Sequence, residues 1–213
     1  MRSGIVFGLA LGLACASAQA EDLLGARDRD WIVALDAAVW TESQLPLLPY
    51  NIVTGNLKFR DAQLVQLGVS KVLINDFSIP LPGGYALNGN SLELQVIGTQ
   101  HLGLQDHQEA AAALALRSGE IPLWGGASVN LAWADGLSYA FESPKLEKGP
   151  GGVAGVGSRH LQHYIGLESE WTLTPGARWH ITTMLHHRSG IYGLISPRKT
   201  GSNYLGMGFN FDF

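Results

Sequence analysis

From Trp179 to Phe213 the chain reads as two strands, each apolar on one set of alternate positions. Strand side chains switch faces with a period of two. In the first, Trp179, Ile181, Thr183, Leu185, His187 and Ser189 share one face, and His180, Thr182, Met184, His186 and Arg188 share the other. In the second, Leu205, Met207, Phe209, Phe211 and Phe213 lie opposite Tyr204, Gly206, Gly208, Asn210 and Asp212. An apolar, aromatic stripe outside and a small or polar stripe inside is what a strand of a transmembrane barrel needs.

The first residues read as an export signal. Arg2 precedes the apolar run Ile5–Ala16, and Ala18-Gln19-Ala20 forms a small-x-small cleavage pattern before Glu21. Residues 1–20 are therefore expected to be a cleaved signal peptide and 21–213 the barrel domain. A membrane anchor is the alternative, but the run is short for one. A lipoprotein site at Cys15 is set aside, because Gly12 stands where a larger apolar residue is wanted. Cleavage removes the only cysteine, so neither disulfide nor thiolate chemistry is expected.

Beyond Ala20 no apolar run approaches the about 18 residues of a spanning helix. Yet the chain is 46% hydrophobic and only 15% charged, against about 25% charged in an ordinary soluble domain. A barrel with its apolar side outward resolves that conflict. The net charge of −4 argues against a nucleic-acid partner.

Eight strands are expected, near 30–42, 60–73, 91–100, 108–118, 125–136, 160–173, 178–190 and 203–213. The fold class is an eight-stranded antiparallel up-and-down transmembrane β-barrel. The run Glu109–Leu116 also suits a helix by propensity, and is read as a strand because eight strands close the ring. With both ends of the barrel at the periplasmic side, the turns near 118–122 and 174–177 are periplasmic and short. The connections at 43–59, 137–159 and 191–202 are then extracellular. Residues 75–90, with Pro80, Pro82 and Gly83-Gly84, read as an unusually long periplasmic loop.

This topology sets His187 and Ser189 on the lipid side, near the headgroups of the outer leaflet. Serine becomes a nucleophile when a neutral imidazole takes its proton. Positions i and i+2 of one strand face lie about 6.6 Å apart, within reach of side chains that lean together. The bland reading of His-x-Ser is an interfacial polar pair. Strand pairing is expected to bring His163 beside His187 or Ser189, and no convergent carboxylate is read on that face, so no metal site is expected. Asn203 shares the outward parity and is the candidate to orient His187, while Ser202 faces inward. Glu142 and Glu147, in the loop above, are the other candidates. Gly190 and Gly193 leave room for backbone donors to an oxyanion. Glu168 and Glu170 are expected to line the lumen.

The segment His186-His187-Arg188-Ser189-Gly190-Ile191-Tyr192-Gly193-Leu194, followed by Gly201-Ser202-Asn203-Tyr204-Leu205-Gly206, resembles the outer-membrane lipid A 3-O-deacylases and related proteins called acyloxyacyl hydrolases. Gln105-Asp106-His107 and Gly136-Leu137-Ser138-Tyr139-Ala140 with Glu142 are similar to segments of that wider group. The resemblance implies an eight-stranded barrel that removes an ester-linked acyl chain from lipid A. It further implies Ser189 as nucleophile and His187 as base. Two positions depart from the pattern. Gly190 follows the serine where the best-known members have Asn, and Ser202 or Asn203 falls where they carry a glutamate.

The expected function is an outer-membrane serine esterase acting on lipopolysaccharide, exported to the Gram-negative outer membrane and needing no cofactor. The catalytic set is His187, Ser189 and Asn203. A non-catalytic structural or adhesion barrel is the alternative, and a pore is disfavoured because eight strands leave an interior filled by side chains.

Overall fold

Period-two alternation governs most of the chain, and it closes into a ring. The computed structural model describes residues 28–147, 159–191, 194–196 and 200–213. The expected signal segment, residues 1–20, lies outside them. Among the described residues nine strands form: β1 (Trp31–Thr41), β2 (Phe59–Pro80), β3 (Ala86–Gly103), β4 (His107–Arg117), the short β5 (Ile121–Pro122), β6 (Ser128–Ala140), β7 (Leu161–Thr172), β8 (Trp179–Ser189) and β9 (Gly201–Asp212). All long neighbours pair antiparallel, β4 pairs β6, and β5 only flanks β6, so eight strands make the barrel. Counting only the eight barrel strands, every pairing joins neighbours in chain order except one. That seam joins β1 to β9 from Ile32↔Asp212 to Trp40↔Tyr204.

Burial follows the pleat. Along β4 each inward residue from His107 to Arg117 is buried and each outward residue exposed. Its Ala-rich run favours a helix locally, but a helix would break two ladders of backbone hydrogen bonds, to β3 and to β6. The outer surface carries Leu35, Leu67, Val96, Leu114, Trp133, Leu167 and Phe209, all exposed. Such an apolar belt on a closed antiparallel ring defines an outer-membrane type of β-barrel. Among the described residues no helix is long and apolar enough to cross a membrane.

The interior is polar at both ends. At the end that holds Trp31 and Asp212, the Arg117 guanidinium meets Glu93 (2.8 Å), Glu168 (2.6 Å) and Asn130 (3.1 Å). Arg29 reaches Glu170 (3.1 Å) and Asp212 (3.3 Å). Glu168 and Glu170 thus line the lumen. Between the polar ends, small and aromatic residues fill the space, with Ala38, Leu64, Met184 and Tyr204 in one cluster and Ile97, Ala113, Ala134 and Tyr164 in another.

Three expectations change. Residues 75–90 are not a long loop: β2 and β3 extend past their neighbours as a hairpin whose turn is only 81–85. β1 pairing with β2 stops at Trp31↔Lys71 and β4 pairing with β3 at Ser91↔Arg117, so the hairpin projects beyond the rim. Asn90 ties its two strands by donating to the carbonyls of Phe77 and Leu87. The turn after β4 is longer than expected, because Ile121–Pro122 forms its own ladder with β6. Finally, the 43–59 connection contains a short helix, α1 (Leu48–Thr54), closed by Gly55 at φ +68°.

Candidate active site

β8 places its residues as the alternation requires. His180, Thr182, Met184, His186 and Arg188 are buried in the lumen. His187 belongs to the opposite, outward set, yet it is only 9% exposed, whereas Trp179 on the same face is 65% exposed. A neighbouring segment reaches this face after β1. Asn203 Nδ2 donates to the Ser43 carbonyl (2.8 Å), and Asn51 Nδ2 of α1 donates to Ser43 Oγ (2.9 Å).

His187 and Asn203 are register partners across β8 and β9. His187 Nδ1 lies 2.6 Å from Asn203 Oδ1. An amide oxygen only accepts, so Nδ1 carries the hydrogen and Nε2 keeps its lone pair. Ser189 sits on the same face two residues on and is partly exposed. Among the described residues no hydrogen bond joins Ser189 Oγ to His187 Nε2. Catalytic contacts of this kind commonly tighten only with substrate in place.

The direct cross-strand partner of Ser189 is His163 on β7. Paired residues on one face have Cβ atoms about 4.5–5.5 Å apart. His163 Nε2 meets Asp135 Oδ2 at 3.0 Å, and the Asp135 side chain is 58% exposed. The expectation of no carboxylate on this face is therefore corrected. Asp135 continues the outward set Val129, Leu131, Trp133 of β6, so its parity was in the sequence. Its contact with His163 depends on the β6–β7 register, which the sequence does not announce.

The loop glutamates do not reach His187. Glu147 turns into the lumen, where it accepts from Arg188 (2.8 Å) and Ser202 (3.0 Å). Glu142 accepts from the Gln108 backbone N–H at 3.2 Å. Both are drawn off by nearer donors. Gly190 is sterically required: a Cβ there would stand 2.6 Å from Thr200 Oγ1 and against the Ser196 carbonyl. Ile191 follows at φ +44°, a strained conformation for a β-branched residue. Gly193 lies outside the described residues.

The architecture has solved counterparts. The chain is similar to the crystal structure of the outer membrane enzyme PagL, with a TM-score of 0.55 and 11% identity over 85% of this chain and 99% of that one. It is also similar to Neisserial surface protein A, NspA, with a TM-score of 0.44 and 11% identity over 86% of this chain and 97% of that one. No protein-family model matches the chain, and no curated protein matches it. The likeness to PagL establishes the barrel fold.

Proposed function

We propose that the protein is an outer-membrane serine esterase that removes an ester-linked acyl chain from lipid A of lipopolysaccharide. The observation that carries the reading is the 2.6 Å bond from His187 Nδ1 to Asn203 Oδ1, on the outward face beside Ser189. It fixes the tautomer that a general base needs. Ser189 Oγ attacks the ester carbonyl and passes its proton to His187 Nε2. The tetrahedral intermediate expels the sugar oxygen, which takes that proton back. Water activated by the same imidazole then hydrolyses the acyl-enzyme and releases the fatty acid. Asn203 is a positioning residue. The outward site opens toward acyl chains rather than toward the lumen, which suits a substrate of the outer leaflet. Here the amide stands where the resembling hydrolases carry a glutamate, so the imidazolium is less stabilised. His163 and Asp135 place a second imidazole and the missing carboxylate on the other side of Ser189.

The neutral Asn203 and the absence of a Ser189–His187 bond favour the second reading, a non-catalytic barrel. Ser189→Ala and His187→Ala decide between them. Lipopolysaccharide incubated with the wild type should lose the mass of one hydroxyacyl chain, and with either variant should not. Identical lipid A profiles in all three samples would remove the esterase.

A further inference from the structure

At the loop end of the lumen, three strands aim ligand atoms at one point. His101 of β3, Glu109 of β4 and His186 of β8 each offer an atom, and those atoms lie within 4.8 Å of one another. All three residues are almost wholly buried. His101 Nε2 is 2.9 Å from Glu109 Oε2, and His186 Nε2 is 3.1 Å from Glu109 Oε1.

The outer partners of the two imidazoles decide what their inner nitrogens can be. Gln66 Nε2 donates to Asp36 Oδ2 (3.0 Å), which turns Gln66 Oε1 toward His186 Nδ1 (3.1 Å). His186 Nδ1 must therefore be the protonated nitrogen, and a neutral His186 presents a lone pair at Nε2. That lone pair faces a carboxylate oxygen. Glu109 Oε1 and His186 Nε2 are close, but off hydrogen-bond alignment, and both lack a hydrogen-bond partner among the described residues. His101 is held differently: its Nδ1 lies 3.0 Å from Tyr204 Oη, a hydroxyl that can donate to it, while its Nε2 donates to Glu109 Oε2 at 2.9 Å, and a metal ion would take the place of that proton. Imidazoles pinned at Nδ1 by a neighbour, with Nε2 converging on a carboxylate, are the construction of protein metal ligands.

We propose that the lumen holds a divalent transition-metal ion such as zinc on His101 Nε2, Glu109 and His186 Nε2. The site goes beyond the esterase and shares no residue with it. Ligand bonds of about 2.0–2.2 Å in a tetrahedral shell set ligand atoms about 3.4 Å apart; the two His–Glu separations of 2.9 and 3.1 Å would open slightly, and all the ligand atoms already lie within 4.8 Å of one another. The local charge agrees. Among the described residues near the cluster, the buried carboxylates Glu109 and Glu147 face the guanidinium of Arg188, which lies 2.8 Å from Glu147 and 3.5 Å from Glu109. A cation relieves the carboxylate that Arg188 holds less closely. His107 stacks on His101 with centroids 4.0 Å apart, and neither of its ring nitrogens has a hydrogen-bond partner among the described residues.

The test uses the whole folded chain in detergent, without a histidine tag, stripped with chelator and titrated with Co2+. About one ion per chain should bind, with visible absorption bands of a low-symmetry site, and Zn2+ should displace it. Glu109→Gln and His186→Gln should abolish the bands. Gln66→Leu, which touches no ligand atom, should weaken binding about 10- to 100-fold through loss of the outer bond. The double variant His163→Ala/His187→Ala should bind cobalt as the wild type does. Absence of bands in folded wild type, or their loss in that outer-face variant, overturns the proposal. Neither result bears on the esterase, whose readout is the acyl chain.

Discussion

Truncating Asn203 to alanine separates orientation from chemistry at the proposed site. The change removes the acceptor 2.6 Å from His187 Nδ1 and the donor 2.8 Å from the Ser43 carbonyl. A net hydrogen bond is worth about 0.5–1.5 kcal/mol, so the two together contribute about 1–3 kcal/mol. At about 1.4 kcal/mol per tenfold, kcat for lipid A deacylation should fall about 5- to 140-fold. Loss of the base itself removes about 10²–10⁴-fold, so His187→Ala should lie well below Asn203→Ala. Asn203→Asp keeps an acceptor for Nδ1 and should recover much of the rate. The assay is release of hydroxy fatty acid from purified lipopolysaccharide in micelles, with heat-modifiable gel mobility reporting the folded barrel. An Asn203→Ala enzyme at the wild-type rate, beside an inactive His163→Ala, would refute the reasoning and transfer the base to the His163–Asp135 pair.

Two more predictions concern the barrel. Arg117→Ala strands the buried Glu93 beside Glu168 and Glu170, and should lower unfolding free energy by about 3–5 kcal/mol in a tryptophan-fluorescence urea titration. Leu35→Arg puts a charge amid the exposed Leu67 and Phe209 at mid-strand, and should cost about 2–4 kcal/mol in vesicles. A smaller effect for Leu35→Arg than for the same change at rim residue Leu161 would displace the apolar belt from where the exposed residues put it.

Strand alternation made the ring legible because an outward stripe and an inward stripe are written residue by residue. His187, Ser189 and Asn203 could be put on one face by counting. Which of them stand opposite one another is a matter of register, and the β8–β9 register places His187 opposite Asn203. What could not be counted was shear. His101, Glu109 and His186 meet because β3, β4 and β8 are staggered around the barrel, a property of the closed sheet. The projecting β2–β3 hairpin was misread because Pro80, Pro82 and the two glycines mark a turn without saying how far the strands run first. Glu147 was misplaced because the attraction of Arg188 acts through the lumen, invisible along the chain.

The union of β1 with β9 has a kinetic corollary. Phe213 N donates to the Trp31 carbonyl and Asp30 N to the Phe213 carbonyl, so the clasp joins the first strand of the barrel to the last. Every other ladder can zip up from a local hairpin, but this one closes a loop that spans all the strands between and waits for the last of them. Until it latches, two raw edges would face hydrocarbon with nothing to bond. Closure of the ring and the covering of its last open edges are therefore a single event, made by one ladder.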